Sequence, residues 1–514
     1  MASHTFITGS TGTGKSNAVY HLLDEITKNG QTTFLVVEPA KGEYKNVFGN
    51  CTDVQVFGTN PRETPLLRMN PFAFPENIHI LEHIDRLVEI FNACWPMYAA
   101  MPAVLKDAIE RSYQKVGWDL RNSESEKGVF PTFFDLLDIL PGVIEESHYS
   151  KDTQSDYVGA LCTRVKSLTN GIYGSVLCAE DALTDEALFD RNVIVDLSRV
   201  GSMETKSLLM GILVMKLQEY RMCSSGMNSR LRHVTVLEEA HNLLRKTSAE
   251  QSQEGANLQG KSVEMLANAI AEMRTYGEGF IIADQAPGLL DMSVIRNTNT
   301  KIILRLPDEE DRKLVGKSAA LKEAQIDELS KLPLGVAAVY QNEWPEAVLC
   351  KIEAYPMPEN AVYHKPSKMP HEINAEFVFG QLAVGKELEP LSSSEMEQLK
   401  LWLKRHETVL KPEDSRYLER VFAGGELDVA KTRKAVFDFF GGIGTVVDYC
   451  AAAEKSLTPR KEFLEQLQGQ YGLKAAAADW VLNSVISMGM SLNPDAKAVD
   501  NLRTNFERQG GRVL

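Results

Sequence analysis

Eight residues near the start of the chain carry its strongest chemical signal: Gly9-Ser10-Thr11-Gly12-Thr13-Gly14-Lys15-Ser16. They match the phosphate-loop pattern G-x-x-x-x-G-K-[ST] at every fixed position. Glycines let consecutive backbone N–H groups converge and approach phosphate oxygens closely. A helix N-terminus behind such a loop adds partial positive charge. Lys15 can reach the β- and γ-phosphates of a nucleotide, and the Ser16 hydroxyl can ligate magnesium. The residues expected to hold nucleotide are thus Gly9, Ser10, Thr11, Gly12, Thr13, Gly14, Lys15, Ser16 and Asn17.

A phosphate loop needs an acidic group at the end of a second buried strand, where it holds magnesium and orients the attacking water. Val234-Thr235-Val236-Leu237-Glu238-Glu239-Ala240-His241 is an apolar run ending in two carboxylates. Glu238 is assigned with Ser16 to the magnesium shell, and Glu239 to the water. Gln285 ends the next apolar run, where its amide can contact the γ-phosphate or the water. Arg274 lies upstream in Glu272-Met273-Arg274-Thr275-Tyr276-Gly277. From a helix end it can project to a neighbouring subunit's nucleotide as an arginine finger, a role for which Arg296 and Arg305 compete. The expected catalytic set is Lys15, Glu239, Gln285 and Arg274.

These groups need elements to position them. Thr5-Phe6-Ile7-Thr8 reads as a strand entering the loop. Val19, Leu22, Leu23 and Ile26 then fall on one helical face, and Asn29-Gly30 gives that helix a stop. Thr32 to Val37 is a β-prone apolar run, as in a buried parallel strand. Glu38-Pro39-Ala40-Lys41-Gly42-Glu43-Tyr44 follows at its C-terminal end, where α/β ligand sites lie. Further strands are expected over Asn192–Leu197, His233–Glu239, Gly279–Gln285 and Lys301–Leu306, with a closing hairpin of Gly335–Tyr340 and Ala347–Ile352. Helices are expected between them, including Ser207–Tyr220 and Ser262–Tyr276, and strands alternating with helices mean a parallel sheet. Residues 75–190 carry few strand signals. Ile80, Leu81, Ile84, Leu87, Val88 and Phe91 are helix-spaced there, so the stretch reads as a helical insertion. Thr247–Gly260 is polar and reads as a mobile loop. Prolines 356, 358, 366 and 370 suggest a linker, and the remainder is rich in helix formers.

The expected architecture is α/β: a RecA-like P-loop NTPase core in two parts (1–74 and 191–355), a helical insertion (75–190), a linker (356–374) and a small helical C-terminal domain (375–514). At 514 residues the chain is long enough for several cores. No apolar run approaches the roughly 18 residues of a membrane span. The start shows no signal-peptide pattern. Seven scattered cysteines without a C-x-x-C pair argue against a disulfide framework or zinc site and for a reducing cytoplasm. A formal charge of −15 excludes a generic polyanion binder, so contact with nucleic acid must come from a local basic surface. Arg245 and Lys246 are candidates for such a surface.

Taken together, the motifs resemble the HerA branch of the HerA/FtsK superfamily of ring ATPases. The pieces that carry the resemblance are Ile7–Ser16, Val37–Tyr44, Leu67-Arg68-Met69-Asn70-Pro71-Phe72, Leu237–Leu244, Tyr276–Gln285 and Asn297–Leu306, in that order. The resemblance covers residues 5–355. It implies a RecA-like core, a hexameric ring, ATP and Mg2+ bound between subunits, and DNA in a central pore. It assigns Lys15 and Ser16 to phosphate and magnesium, Glu239 to catalysis, Gln285 to sensing and Arg274 to the trans finger. Where the family carries a magnesium-binding aspartate, this chain has Glu238. Family members also normally carry a small β-barrel before the phosphate loop, which this chain is expected to lack. Bacterial relatives often accompany a nuclease or a sirtuin-like NADase in anti-phage defence, and archaeal ones work with end-resection nucleases. The leading expectation is a DNA translocase or helicase-like motor. An ATP-gated ring scaffold that regulates a partner effector is the alternative, and a conjugation or secretion motor the third reading.

Overall fold

Runs rich in Val, Ile and Phe become the strands of one sheet, because a strand covered on both faces excludes polar alternation. The computed structural model describes residues 3–357 except 99, 126, 127, 180, 181 and 248–254, then 362–365, and 416–513 except 419, 422–427, 456, 457, 472–474, 494 and 512. In chain order the strands are β1 (Thr5–Thr8), β2 (Thr33–Glu38), β3 (Val54–Gly58), β4 (Trp118–Asp119), β5 (Glu124–Ser125), β6 (Asn192–Asp196), β7 (His233–Glu238), β8 (Glu278–Asp284), β9 (Thr300–Ile303), β10 (Val336–Gln341) and β11 (Val348–Lys351). Nine of them form a single sheet in the order β11-β10-β9-β1-β8-β7-β2-β6-β3. The run from β9 to β3 is parallel, while β10 and β11 add an antiparallel edge. The fold is that of a P-loop NTPase, as the sequence predicts, including its closing hairpin.

The strand order matters for the site. β8 is inserted between β1, which leads into the phosphate loop, and β7, which ends in Glu238. The register sets Thr8 beside Asp284, Glu238 beside Ala283, and Glu38 beside Asp196. The loops that carry chemistry therefore leave the sheet along one edge, at the C-terminal ends of the parallel strands.

The helix Lys15–Asn29 follows the loop and ends at Gly30 in a left-handed conformation (φ 65°), a glycine stop. Its Val19 and Leu23 pack with Phe34, Val36 and Val236 of the sheet. The helix Met203–Ser224 is longer than the predicted Ser207–Tyr220 and is buried through its middle, from Leu208 to Leu217. Its buried Lys216 is neutralised by Asp185 at 3.1 Å and donates to the Ala73 carbonyl. Helices Ile80–Cys94, Met203–Ser224 and Gly255–Glu272 pack on one another.

Three differences from the sequence reading stand out. Val54–Gly58 is an additional strand, paired in parallel with β6 at the sheet edge. Within the helical 75–190 stretch, β4 and β5 form a small antiparallel pair. The expected mobile loop is already helical from Gly255, and its residues 248–254 lie outside the described ones. The proline-bearing stretch is partly described. Tyr355 packs edge-on against Tyr20, and Tyr363 N donates to Asn46 Oδ1, so this segment is bonded to the unit that carries the sheet. Residues 358–361 and 366–415 lie outside the described ones.

Residues 1–126 and 130–367 form one compact unit, and residues 127–129 and 368–514 a second. The described part of the second unit is helical: Val429–Phe439, Gly442–Lys455, Pro459–Tyr471, Ala475–Leu492 and Ala496–Arg508. Phe439, Tyr449, Val481, Val485 and Phe506 are buried in its core. Gly441 and Gly442 (φ 90° and 57°) turn the chain between two helices. Among the described residues no single helix is long and apolar enough to cross a membrane, and no disulfide joins the cysteines.

Candidate nucleotide site

The phosphate loop wraps a cavity of about 250 Å³ at the sheet edge. Its shape depends on residues too small to fill it. A Cβ on Gly9 would lie 2.7 Å from Thr13 Oγ1 and 2.8 Å from Leu304 Cβ. Gly12 and Gly14 hold positive φ angles of 76° and 107°, which only glycine adopts freely. Ser10 N and Oγ both donate to the Arg305 carbonyl, and Thr13 Oγ1 donates to the Ser10 carbonyl. Gly9, Ser10 and Thr13 thus build the loop, while Thr11, Gly12, Gly14, Lys15, Ser16 and Asn17 line the cavity.

Lys15 is buried and donates from Nζ to the Gly9 carbonyl at 2.6 Å. Burial holds its ammonium below the ordinary lysine range, opposed by the nearby charges of Glu239 and Glu238. Asn17 lines the cavity, but its amide bonds to the backbone of the segment after β11: Nδ2 to the Glu353 carbonyl at 2.9 Å and Oδ1 from Tyr355 N at 2.7 Å.

Strand order brings the second half of the site to the same cavity. Glu238, Glu239 and Gln285 all line it. Gln285 Oε1 accepts from Thr11 Oγ1 at 2.8 Å, bonding the end of β8 to the phosphate loop across 274 residues of sequence. Glu238 is buried and accepts a hydrogen bond from the Tyr44 hydroxyl. Burial raises its carboxyl to about 7, against the Tyr44 hydrogen bond, which lowers it. Glu239 takes a left-handed backbone (φ 45°, ψ 51°), rare for a non-glycine residue and typical of functional positions. Burial, then the charge of Asp284, raises its carboxyl. Its Oε2 is inaccessible and lacks a hydrogen-bond partner.

Local sequence pattern gives no individual roles to Glu38, Lys41, Tyr44 or Asp284, although Val37–Tyr44 reads as a ligand-side segment. Glu38 is buried, and burial raises its carboxyl to about 8. Its two oxygens accept from Glu43 N and Tyr44 N, which fixes the loop after β2. Lys41, itself at φ 63°, lines the cavity from that loop. Asp284 is fully buried and joins the end of β8 to the turn after β7. This last contact follows only from parallel pairing of β7 with β8, which no local pattern announces.

Arg274 lies elsewhere. It sits in the short helix Met273–Tyr276 that precedes β8, so the full strand separates it from Gln285. Seven residues of strand span roughly 23 Å. Arg274 is exposed and is not brought to the cavity of its own chain. Arg305 is beside the phosphate loop, through its backbone carbonyl.

The charge balance of the cavity fits a divalent cation. Glu38, Glu238 and Glu239 are all held above the ordinary carboxylate range, with Lys15 and Lys41 as the cations lining the same space. An added dication relieves such crowding. Ser16 and Glu238, the pair the sequence assigns to magnesium, both line this cavity.

Residues 1–215 match the family Helicase HerA, central domain. The DNA double-strand break repair helicase HerA of Sulfolobus acidocaldarius is 25% identical over 370 residues, covering 69% of this chain and 66% of that protein. A probable helicase of Methanocaldococcus jannaschii, MJECL08, is 22% identical over 381 residues, covering 68% of this chain and 66% of its own. The chain therefore spans just under two thirds of the length of these relatives. Among solved structures, VirB4 of Thermoanaerobacter pseudethanolicus superposes with a TM-score of 0.53 at 19% identity, covering 69% of this chain and 90% of that one. The bacterial conjugative coupling protein TrwBdeltaN70 gives 0.50 at 13% identity, covering 71% and 88%. At such identities these two establish the fold alone.

Proposed function

We propose that this chain is a HerA-like ATPase that hydrolyses ATP with magnesium and couples hydrolysis to movement on DNA as a homo-oligomeric ring, a reading supported by the match of residues 1–215 to the HerA central domain. The observation that carries the reading is the convergence of Lys15, Glu239 and Gln285 on one cavity from three different parts of the chain.

Each residue has a role its position supports. The loop amides and Lys15 hold the phosphates and neutralise charge that grows on the transferred group. Glu239, its carboxyl raised by burial, accepts a proton from the attacking water. Gln285 touches the phosphate loop through Thr11 and reports the presence of the γ-phosphate. Ser16 and Glu238 would hold magnesium, which when bound would supply Lewis-acid stabilisation of phosphoryl oxygens. Arg274 completes the site of a neighbouring copy, and its exposed place at the far end of β8 supports supply in trans.

The finer parts of the proposal are a hexameric ring, DNA in its pore, a cytoplasmic location and a nuclease or sirtuin-like NADase as effector in anti-phage defence or DNA processing. The formal charge of −15 favours a second reading, an ATP-gated scaffold that switches its effector with little translocation. ATP turnover with and without double-stranded DNA, alongside mass in solution, separates the two. A ring whose turnover rises with DNA supports the motor, and a DNA-indifferent ring supports the scaffold. A monomer that neither binds nor hydrolyses ATP contradicts both.

A further inference from the structure

His241 joins the catalytic carboxylate to a second cavity. The turn after β7 carries Glu239 and, two residues on, His241. The backbone N and Nδ1 of His241 both bond Asp284 Oδ2, at 2.8 and 2.9 Å. Asp284 Oδ1 accepts from Ala286 N, so the carboxylate is anchored on both sides. With the ring locked this way, Nδ1 lies 3.5 Å from Glu239 Oε2, the oxygen that lacks a hydrogen-bond partner. His241 is thus a close neighbour of the Glu239 carboxylate.

The same imidazole borders a cavity of about 450 Å³ that shares no lining residue with the nucleotide cavity. Arg245 and Lys246 line it and are exposed. Their backbone is bonded to the segment after β8: Lys246 N donates to the Leu289 carbonyl, and Asp291 N donates to the Leu244 carbonyl. Residues 289–291 lie just beyond Gln285. Glu204, the acid in this lining, faces Arg164 at 3.6 Å, which leaves the cavity's cations for an anion from outside. Two cations presented side by side at one cavity suit a phosphodiester.

We propose that His241 is a positioning residue through which a DNA phosphate held by Arg245 and Lys246 acts on Glu239. An anion drawn into this cavity pulls on the segment 241–246. The shift alters the Nδ1 contact with Oε2 and releases Glu239 toward the water. The inference rests on the ATPase reading above.

The test uses the full chain and a double-stranded oligonucleotide. It reads turnover with and without DNA, DNA affinity by anisotropy, and affinity for a fluorescent ATP analogue. His241→Ala is expected to cut the ratio of DNA-stimulated to basal turnover by about five-fold or more, with nucleotide and DNA affinities within about two-fold of wild type. His241→Asn retains a donor toward Asp284 and guards against simple misfolding. It is expected to fold as wild type and lose the same ratio. Arg245→Gln with Lys246→Gln is expected to lose the ratio too, and adding His241→Ala to that pair is expected to lose no more, because coupled residues are not additive. Full stimulation in both His241 variants, additive losses, or wild-type turnover indifferent to DNA each overturn the relay while leaving the ATPase reading intact. A wild-type chain that neither binds nor hydrolyses ATP fails the ATPase reading instead.

Discussion

Tyr44 donates its hydroxyl hydrogen to Glu238, so the loop after β2 and the carboxylate at the end of β7 are bonded across the nucleotide cavity. Tyr44 is buried, and its ring meets Tyr20 of the helix that follows the phosphate loop, with centroids 5.1 Å apart. One side chain thereby fixes the distance between the two halves of the site.

Removing that hydroxyl gives the first prediction. The Tyr44 hydrogen bond lowers the Glu238 carboxyl, which burial has raised to about 7. Tyr44→Phe therefore pushes Glu238 higher and leaves it less ionised at neutral pH. Magnesium-dependent turnover is expected to need higher pH, with the rising limb of the kcat/KM profile displaced upward. The buried acceptor left unpaired costs about 1–3 kcal/mol of stability. A pH–rate profile superimposable on wild type would count against the role of this bond.

The loop glycines give the second. Gly9→Ala places a Cβ within 2.8 Å of Thr13 and Leu304, both packed. The variant is expected to lose about 1–3 kcal/mol of stability and to bind ATP weakly, read by thermal melting and nucleotide titration. Wild-type affinity would mean the loop has more room than its packing shows.

Glu38 gives a pH dependence whose sign is fixed by its raised carboxyl. In the unfolded chain the group ionises near 4.5, and in the folded protein near 8. Between those values the folded state keeps a proton that the unfolded state releases, so this group's contribution to stability falls as pH rises. Glu38→Gln removes the effect. Relative to wild type, the nucleotide-free variant is expected to gain up to about 1 kcal/mol per pH unit between pH 5 and 8. Parallel melting curves across that range would show that Glu38 stays ionised.

A mixing experiment tests Arg274. Lys15→Ala and Arg274→Ala are each expected to be inactive alone. If the finger acts in trans, a mixed ring pairs an intact phosphate loop from one variant with an intact Arg274 from the other. Turnover then returns on mixing. Two inactive variants that stay inactive together, in rings shown to exchange subunits, would place the finger elsewhere, with Arg305 the next residue to change.

The sequence showed the parts of this site that local pattern encodes. The phosphate loop declares itself because backbone convergence demands glycine, and β7 because an apolar run stops abruptly at Glu238 and Glu239. The long alternation of helix and strand gave the sheet. What escaped was set by pairing over distance. Val54-Gln55-Val56-Phe57-Gly58 is too short to stand out, and becomes a strand because β6 offers it an edge. Asp284 looks like an ordinary strand end until the β7–β8 register places it beside His241. Tyr44 lies in a legible segment, yet its partner is 194 residues away. Tertiary contacts decided these positions, and propensity carried no information about them.

The most direct measurement is ATP turnover by the full chain, wild type against Glu239→Gln, with binding of ATP followed in parallel. The substitution removes the proton acceptor while keeping the shape of the side chain. Turnover is expected to fall by roughly 10²- to 10⁴-fold, with ATP affinity kept within a few-fold. A Glu239→Gln protein that hydrolyses ATP as fast as wild type would contradict the assignment of catalysis to this site.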